Sequence, residues 1–281
     1  MFHIRQTDGS MGDHERECVV WNDVWPHQRR LPQMFRHSAE NAPITHAPRF
    51  YLAETADGTP IARGSIYPAS VGNDPLKYYV HVMVRPAWRG GGVCRAMSEQ
   101  LKLALAGEMP VALIANLFGD EVDGSRLLDK LGFELKQRSP ISEIEVAAFD
   151  SAEFLPALAR AAENNITINT FQRLHEQHGH AYVWSQLYHL RHAIARDIPH
   201  YDSSRRYPNK ETWIRNRVTH PNLLPDGMFI ALHHNNWIGV SELYRKPAMP
   251  ELLGQGITGV RRAYRRMGIA TALKLRTLDY A

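Results

Sequence analysis

At 281 residues the chain is long enough for two domains of ordinary size, each with its own apolar core. It is 44% hydrophobic and 22% charged, the balance of a globular protein. A net charge of +4 without a dense Lys/Arg run suits an anionic small ligand and argues against nucleic acid. Two cysteines, Cys18 and Cys94, make neither a disulfide scaffold nor a zinc site. The start, Met1 to Gln6, has no apolar signal core, and no apolar run approaches a membrane span, so the expectation is a cytoplasmic protein without membrane partners.

Phe2 to Arg5 reads as a strand, and a helix-rich stretch follows to about Glu40. Trp21 and Trp25 fall on one helical face there, and they and Trp88 are expected in the core. Phe50 to Glu54 and Ile61 to Tyr67 are strands joined by the turn pair Asp57-Gly58. Tyr78 to Val84, rich in β-branched and aromatic residues, is a third strand. A helix is predicted from Val93 to about Ala106, with Val93, Met97, Leu101 and Ala104 on one face. Val111 to Leu117 is a buried-strand candidate. A short helix from Val122 to Leu131 starts near Asp120 and Asp123 and ends at Gly132. Glu134 to Val146 is expected to supply the last strand or hairpin, interrupted by Pro140.

A joint near residue 150 divides the chain into domains 1–149 and 150–281. Ser151 to Glu163 reads as a connecting helix capped by Asp150 or Ser151. Ile166 to Thr170 is a strand, with helices over Ala181 to Ala195 and Lys210 to Val218. Met228 to Leu232 and Trp237 to Tyr244 form a hairpin around His233 to Asn236, and Leu252 to Val260 is the next strand. The order of elements is a mixed α/β pattern. By comparison with the first domain, the second is expected to lack its last strands and helix, leaving an uncovered C-terminal sheet edge through which copies of the chain would associate.

One signature occurs twice. Val84-Arg85-Pro86-Ala87-Trp88-Arg89-Gly90-Gly91-Gly92-Val93-Cys94 returns 176 residues later as Val260-Arg261-Arg262-Ala263-Tyr264-Arg265-Arg266-Met267-Gly268-Ile269-Ala270. Each copy follows a predicted strand and leads into a predicted helix. Glycine there lets bare backbone N–H groups approach an anion at the positive end of the helix. The flanking hairpins register as well: Ala53 matches Ala231, Ile61 matches Ile238 and Ser65 matches Ser241. A repeat of this length predicts two copies of one module with a phosphate-binding turn in each.

The phrase Arg/Gln-x-x-Gly-x-Gly/Ala between strand and helix resembles the acetyl-CoA motif of the GNAT acyltransferases. Arg265-x-x-Gly268-x-Ala270 fits it, and Arg89-x-x-Gly92-x-Cys94 fits except at Cys94. Leu131-Gly132-Phe133 is similar to the ending of the family's last helix. The resemblance implies two tandem GNAT folds, in an arrangement similar to that of mycothiol synthases. It also implies an N-acyltransferase that uses acetyl-CoA or another acyl-CoA to acylate a small amine by direct attack on the thioester. The alternative is a non-catalytic acyl-CoA-binding or regulatory protein with degenerate modules. Arg89, Gly90, Gly91, Gly92, Val93 and Cys94 would hold the pyrophosphate in one module, and Arg265, Arg266, Met267, Gly268, Ile269 and Ala270 in the other. The pantetheine arm would pair with Val82, Met83 and Val84, or with Thr258 to Val260.

The family's usual thiolate acid is a tyrosine where the first module has Leu128. His81 and Tyr79 are the candidate catalytic residues, with Tyr78, Glu242 and Gln255 as further candidates. Cys94, beside Arg89 and Arg95, reads either as a reactive thiol or as a small residue in the glycine/alanine slot. His175, His178, His180, His189 and His192 do not share one helical face with an acidic or Cys partner, so no metal is expected.

Overall fold

A computed structural model describes residues 1–41, 47–69, 76–118, 121–199 and 207–281. The predicted helix start at Asp120 lies outside the described residues. Contacts divide the chain into two units, the first spanning 1–138 and the second 139–199 with 207–281.

In the first unit β1 (Phe2–Gln6) is followed by α1 (Met11–Val24) and α2 (Pro32–Glu40). Then come β2 (Arg49–Thr55), β3 (Pro60–Pro68) and β4 (Lys77–Val84). α3 (Val93–Leu105), β5 (Ala112–Ile114) and α4 (Val122–Lys130) complete it. The sheet order is β1-β2-β3-β4-β5, antiparallel except for the parallel β4–β5 pair. α3 buries Val93, Met97, Leu101 and Leu105, one residue beyond the predicted Ala104, against Tyr51, Ile61 and Ile66 of the sheet. Each such side chain contributes roughly 1.5–3 kcal/mol when fully buried. Gly64 makes the close approach workable: a Cβ there would lie 2.5 Å from Met97 Sδ. Ser10 caps α1 by accepting from the Asp13 amide.

Not every expectation holds in this half. The buried strand expected over Val111 to Leu117 is only the three residues of β5, with Leu113 exposed. Trp88 is exposed, because the short 3-10 turn over Pro86–Trp88 carries it away from the sheet. Glu134 to Val146 forms neither strand nor hairpin; the stretch is exposed, and Pro140 denies it a continuous donor ladder.

The second unit begins with α5 (Pro156–Glu163), led in by a 3-10 turn over Ala152–Phe154 that shortens the predicted connecting helix. β6 (Ile166–Thr170) runs directly into α6 (Phe171–His178), a helix missed in the sequence, capped by Thr170. α7 (His180–Ala195), α8 (Lys210–Val218), β7 (Met228–His233), β8 (Asn236–Arg245), β9 (Leu253–Val260) and α9 (Ile269–Tyr280) follow. The antiparallel sheet has the order β6-β7-β8-β9, with β9 at its edge among the described residues. One face packs on α5 and α9 through Ala157, Ala161, Ile269, Ala272 and Leu273. The other packs on α6, α7 and α8 through Phe171, Trp184, Leu187, Leu190 and Trp213. Strand alternation sends Met228, Ile230 and Leu232 to this second face and Phe229 and Ala231 to the first. The matched residues Ala53 and Ala231, Ile61 and Ile238, and Ser65 and Ser241 are all fully buried.

Candidate functional site

The two turns have the same backbone. In the first, the Trp88 amide bonds Arg85 O and the Arg89 amide bonds Pro86 O at 2.9 and 3.2 Å. In the second, Tyr264 and Arg265 bond Arg261 O and Arg262 O at 2.9 and 3.3 Å. Each leading arginine folds back on its strand: Arg89 Nε donates to Val84 O at 3.2 Å and Arg265 Nε to Val260 O at 3.1 Å. Gly92 (φ 79, ψ −1) and Gly268 (φ 77, ψ 0) are left-handed N-caps with no side-chain cap. The amides of Gly91, Gly92, Val93 and Cys94 have no acceptor among the described residues, nor do those of Met267, Gly268, Ile269 and Ala270. Four bare N–H groups converging on the positive end of a helix form an anion cradle. A Cβ at Gly90 or Gly92 would meet nothing within 4 Å, so the space in front of the first turn is open.

The surroundings of the turns differ. The first opens on a cleft of about 470 Å³, lined by Trp88, Arg89, Gly92 and Cys94 and by Leu127 and Leu131 of α4. β5 pairs with β4 only at Lys77, Tyr78 and Tyr79. Beyond Tyr79 that edge of β4, from Val82 to Val84, has no strand partner among the described residues. Apart from the Val84 carbonyl, which accepts from Arg89, its outward backbone groups are therefore open to an extended ligand. The second turn is crowded by charge. Asp197 bridges Arg262, at 2.7 Å, and Arg265. A Cβ at Gly268 would lie 3.6 Å from Arg160 Nε and Nη2, which sets the α5 guanidinium beside that turn.

Cys94 lines the first cleft, but burial pushes its thiol above the usual range, opposite to what a reactive thiolate needs.

Tyr79 and His81 stand on the face of β4 opposite α3. Their cross-strand partners in the register are Tyr67 and Ser65. The Tyr67 hydroxyl lies 3.0 Å from His81 Nε2, and the Tyr67 ring stacks on His81 and Tyr79 with centroids 5.6 and 5.3 Å apart. Burial, with help from Arg63 and Arg30, lowers His81 to about 4, so its ring is neutral at pH 7. Burial raises the Tyr67 phenol, which stays protonated. Arg63 Nε donates to buried Glu17 Oε1 at 2.9 Å, and Glu17 Oε2 lies 3.0 Å from His14 Nδ1. The sequence pointed to Tyr79 and His81 and missed Tyr67, Arg63, Glu17 and Arg30. Hairpin alternation through Arg63, Ser65 and Tyr67 was the only local signal for any of these.

Tyr78 leaves the set of candidates. It faces the α3 core, and burial with Glu108 pushes its phenol up to about 12. In the second unit Glu242 is buried, with Arg191 at 3.3 Å and Arg217 at 3.0 Å from its Oε2. Gln255 Nε2 donates to Glu242 O at 2.8 Å, and the Thr258 hydroxyl is 2.8 Å from Ser241 Oγ. Among the described residues no group of three or more His, Cys, Asp or Glu is placed to hold a metal ion, although His175 and His180 approach to 3.4 Å. No helix among them is long and apolar enough to cross a membrane.

No family model and no curated protein matches the chain. Solved structures do. A tandem GNAT protein from the clavulanic acid biosynthesis pathway aligns at TM-score 0.66 and 14% identity, over 100% of this chain and 85% of that one. A GCN5-related N-acetyltransferase from Sphaerobacter thermophilus aligns at TM-score 0.59 and 16% identity, over 99% and 82%. A GCN5-related glucosamine N-acetyltransferase region of a fungal multi-domain β-N-acetylglucosaminidase aligns at 0.64 and 12%. This chain is covered in full there but spans only 34% of that protein's chain. The architecture is therefore that of a tandem GNAT protein, two mixed α/β modules in one chain.

Proposed function

We propose that the chain is an acetyl-CoA-dependent N-acyltransferase that moves an acyl group to the amine of a small molecule, with the first module, within residues 1–149, as the active one. The observation that carries this is the first turn. Bare amides of Gly91 to Cys94 open on a free cleft, beside a strand whose edge past Tyr79 has no strand partner among the described residues. Acetyl-CoA supplies an activated thioester. The Gly92, Val93 and Cys94 amides hold its pyrophosphate, and Arg89 offsets the charge. The edge of Val82 to Val84, apart from the Val84 carbonyl held by Arg89, aligns the extended arm as an added strand. No protein nucleophile is needed, so the protein accelerates the step mainly by holding amine and carbonyl in line. As the amine nitrogen bonds the carbonyl carbon the C–S bond breaks, and CoA leaves as a thiolate that is protonated from solvent. Neutral His81, 3.0 Å from the Tyr67 hydroxyl, takes the proton that the amine sheds on the ring nitrogen left free by that contact.

In the second module the Arg265 guanidinium already has a carboxylate partner in Asp197, which an incoming phosphate must displace. Calorimetric titration with CoA, paired with thiol release from acetyl-CoA over an amine panel, tests the reading. Arg89→Ala is expected to weaken CoA binding at least about fivefold, on the order of 1 kcal/mol, and Arg265→Ala to change it little. Two equal tight sites, or equal effects of the two variants, would overturn the assignment.

A second reading has a specific observation behind it. Leu128 stands in α4 where the family resemblance expects a tyrosine. A CoA-binding protein without transfer activity would titrate in the same way and release no thiol with any amine.

A further inference from the structure

The sheet face that carries His81 holds more positive charge than its carboxylates balance. Glu17 is fully engaged, by Arg63 on one oxygen and His14 on the other. Arg30, which follows α1, adds a second guanidinium to the same face. It stacks 3.7 Å over the Trp21 ring and lies 5.7 Å from the Phe35 ring. Among the described residues no carboxylate pairs with it, and its hydrogen bonds there run through its backbone, to Asn22 and Cys18. Its charge is nevertheless felt. Burial and then Arg63 lower Arg30 to about 10, and Arg30 in turn helps to lower His81. Tyr67 and Tyr79 add a stacked aromatic wall beside it.

A half-buried guanidinium next to another, with no counter-ion, is held at a cost that an incoming anion would remove. Stacking on Trp21 covers one face of the guanidinium and leaves its N–H fork free for a bidentate oxyanion. The second unit repeats the imbalance, with Arg191 and Arg217 sharing the single carboxylate of Glu242.

We propose that the acceptor of the first module is an amine that also carries an oxyanion, a carboxylate or a phosphate, and that Arg30 binds this group. The inference rests on the acyl-transfer reading above. The same field has a catalytic consequence. Two guanidiniums disfavour an ammonium ion in the site, so the amine is held in its neutral, nucleophilic form and a weak base such as His81 suffices. Polycationic amines are excluded by the same charges.

Acetylated compounds serve as binding probes that need no turnover: N-acetylglutamate, N-acetylglucosamine 6-phosphate, N-acetylglucosamine and N-acetylputrescine. Each is titrated by calorimetry, with CoA present, into the full chain and into Arg30→Gln and Arg30→Lys. The carboxylate or the phosphate probe is expected to bind, whichever is preferred naming the source of the oxyanion. Arg30→Gln should weaken that probe at least tenfold, while Arg30→Lys recovers part of the loss. Unchanged thermal unfolding of the variants keeps the result local. Equal binding of neutral and anionic probes, indifference to Arg30→Gln in a folded variant, or no binding of either oxyanion probe would each overturn the proposal. Thiol release is read separately: its absence, with the anion site intact, removes the acyl-transfer reading and leaves the site standing.

Discussion

The two turns share a backbone and differ in what surrounds them. Gly92 and Gly268 have almost the same dihedral angles, and Arg89 and Arg265 fold back on equivalent carbonyls. Yet the first turn faces an open cleft, while the arginines of the second are tied to Asp197 and flanked by Arg160. The second turn is the better match to the motif, yet its leading arginine is already tied to a carboxylate. A short motif reports the local conformation of the chain, whereas ligand access is decided by groups far away in sequence.

The sheet faces opposite α3 and α9 extend the comparison and give the largest expected effect. Each has a buried glutamate held by basic side chains: Glu17 by Arg63, with His14 Nδ1 on its other oxygen, and Glu242 by Arg191 and Arg217. Removing a carboxylate leaves its guanidinium partner buried without compensation, which costs about 3 kcal/mol or more. Glu17→Ala should therefore lower the stability of the first unit by about 3 kcal/mol in urea unfolding. Glu242→Ala should cost the second unit at least as much, because it strands two arginines, although these keep 18% and 30% of their side-chain surface where Arg63 keeps 7%. A loss smaller for Glu242→Ala than for Glu17→Ala would break the parallel between the faces.

The next effect separates the faces, because among the described residues the strongly shifted strand histidine is His81, on the first face. His81 is held down to about 4 in the fold, against an ordinary value near 6.5. The unfolded chain then binds more protons than the folded one between those values, so stability rises with pH there. His81 costs nothing above about pH 6.5, and the fold loses stability as pH falls from there toward 4, by on the order of 2 kcal/mol after allowance for partial exposure. His81→Gln should flatten this slope in urea titrations at stepped pH. An unchanged slope would show that burial, with Arg63 and Arg30 beside it, does not hold the ring neutral as described.

How far these features could be read in the sequence follows from how local they are. The turns were readable because strand, glycine and helix start lie within eleven consecutive residues, Val84 to Cys94 and Val260 to Ala270. Most strands were readable from alternation. The cluster around His81 was not, since Glu17 meets Arg63 across 46 positions and Tyr67 meets His81 across 14. No periodicity within one element predicts which helix a strand face will meet. α6 escaped because Thr170 ends a strand and caps a helix at once, leaving no turn residues to mark the change.

A smaller effect tests the cradles directly. Gly92→Val forces a β-branched residue to φ 79 and puts a side chain where phosphate must approach the amides. CoA binding should weaken at least about tenfold, on the order of 1.4 kcal/mol. Gly268→Val imposes the same strain on the second turn and should leave CoA affinity nearly unchanged. Equal losses by calorimetry would show that the second turn binds as well as the first, despite Asp197.

The smallest effect lies one step earlier in each turn, where the backbones agree and the residues do not. Gly90 has φ 82; its counterpart Arg266 has φ 67, in the left-handed region that side chains with a Cβ disfavour. Arg266 is exposed, so it gains little packing to offset that strain. Arg266→Gly should therefore stabilise the second unit by roughly 0.5–1 kcal/mol, net of the extra freedom glycine has in the unfolded chain. The reverse change, Gly90→Arg, should destabilise the first unit by a similar amount. Paired thermal unfolding of the two variants reads both signs. If Arg266→Gly is instead neutral or destabilising, Arg266 has a stabilising partner at the second turn that outweighs its backbone strain, and that turn is then built to keep its guanidinium rather than merely tolerating it.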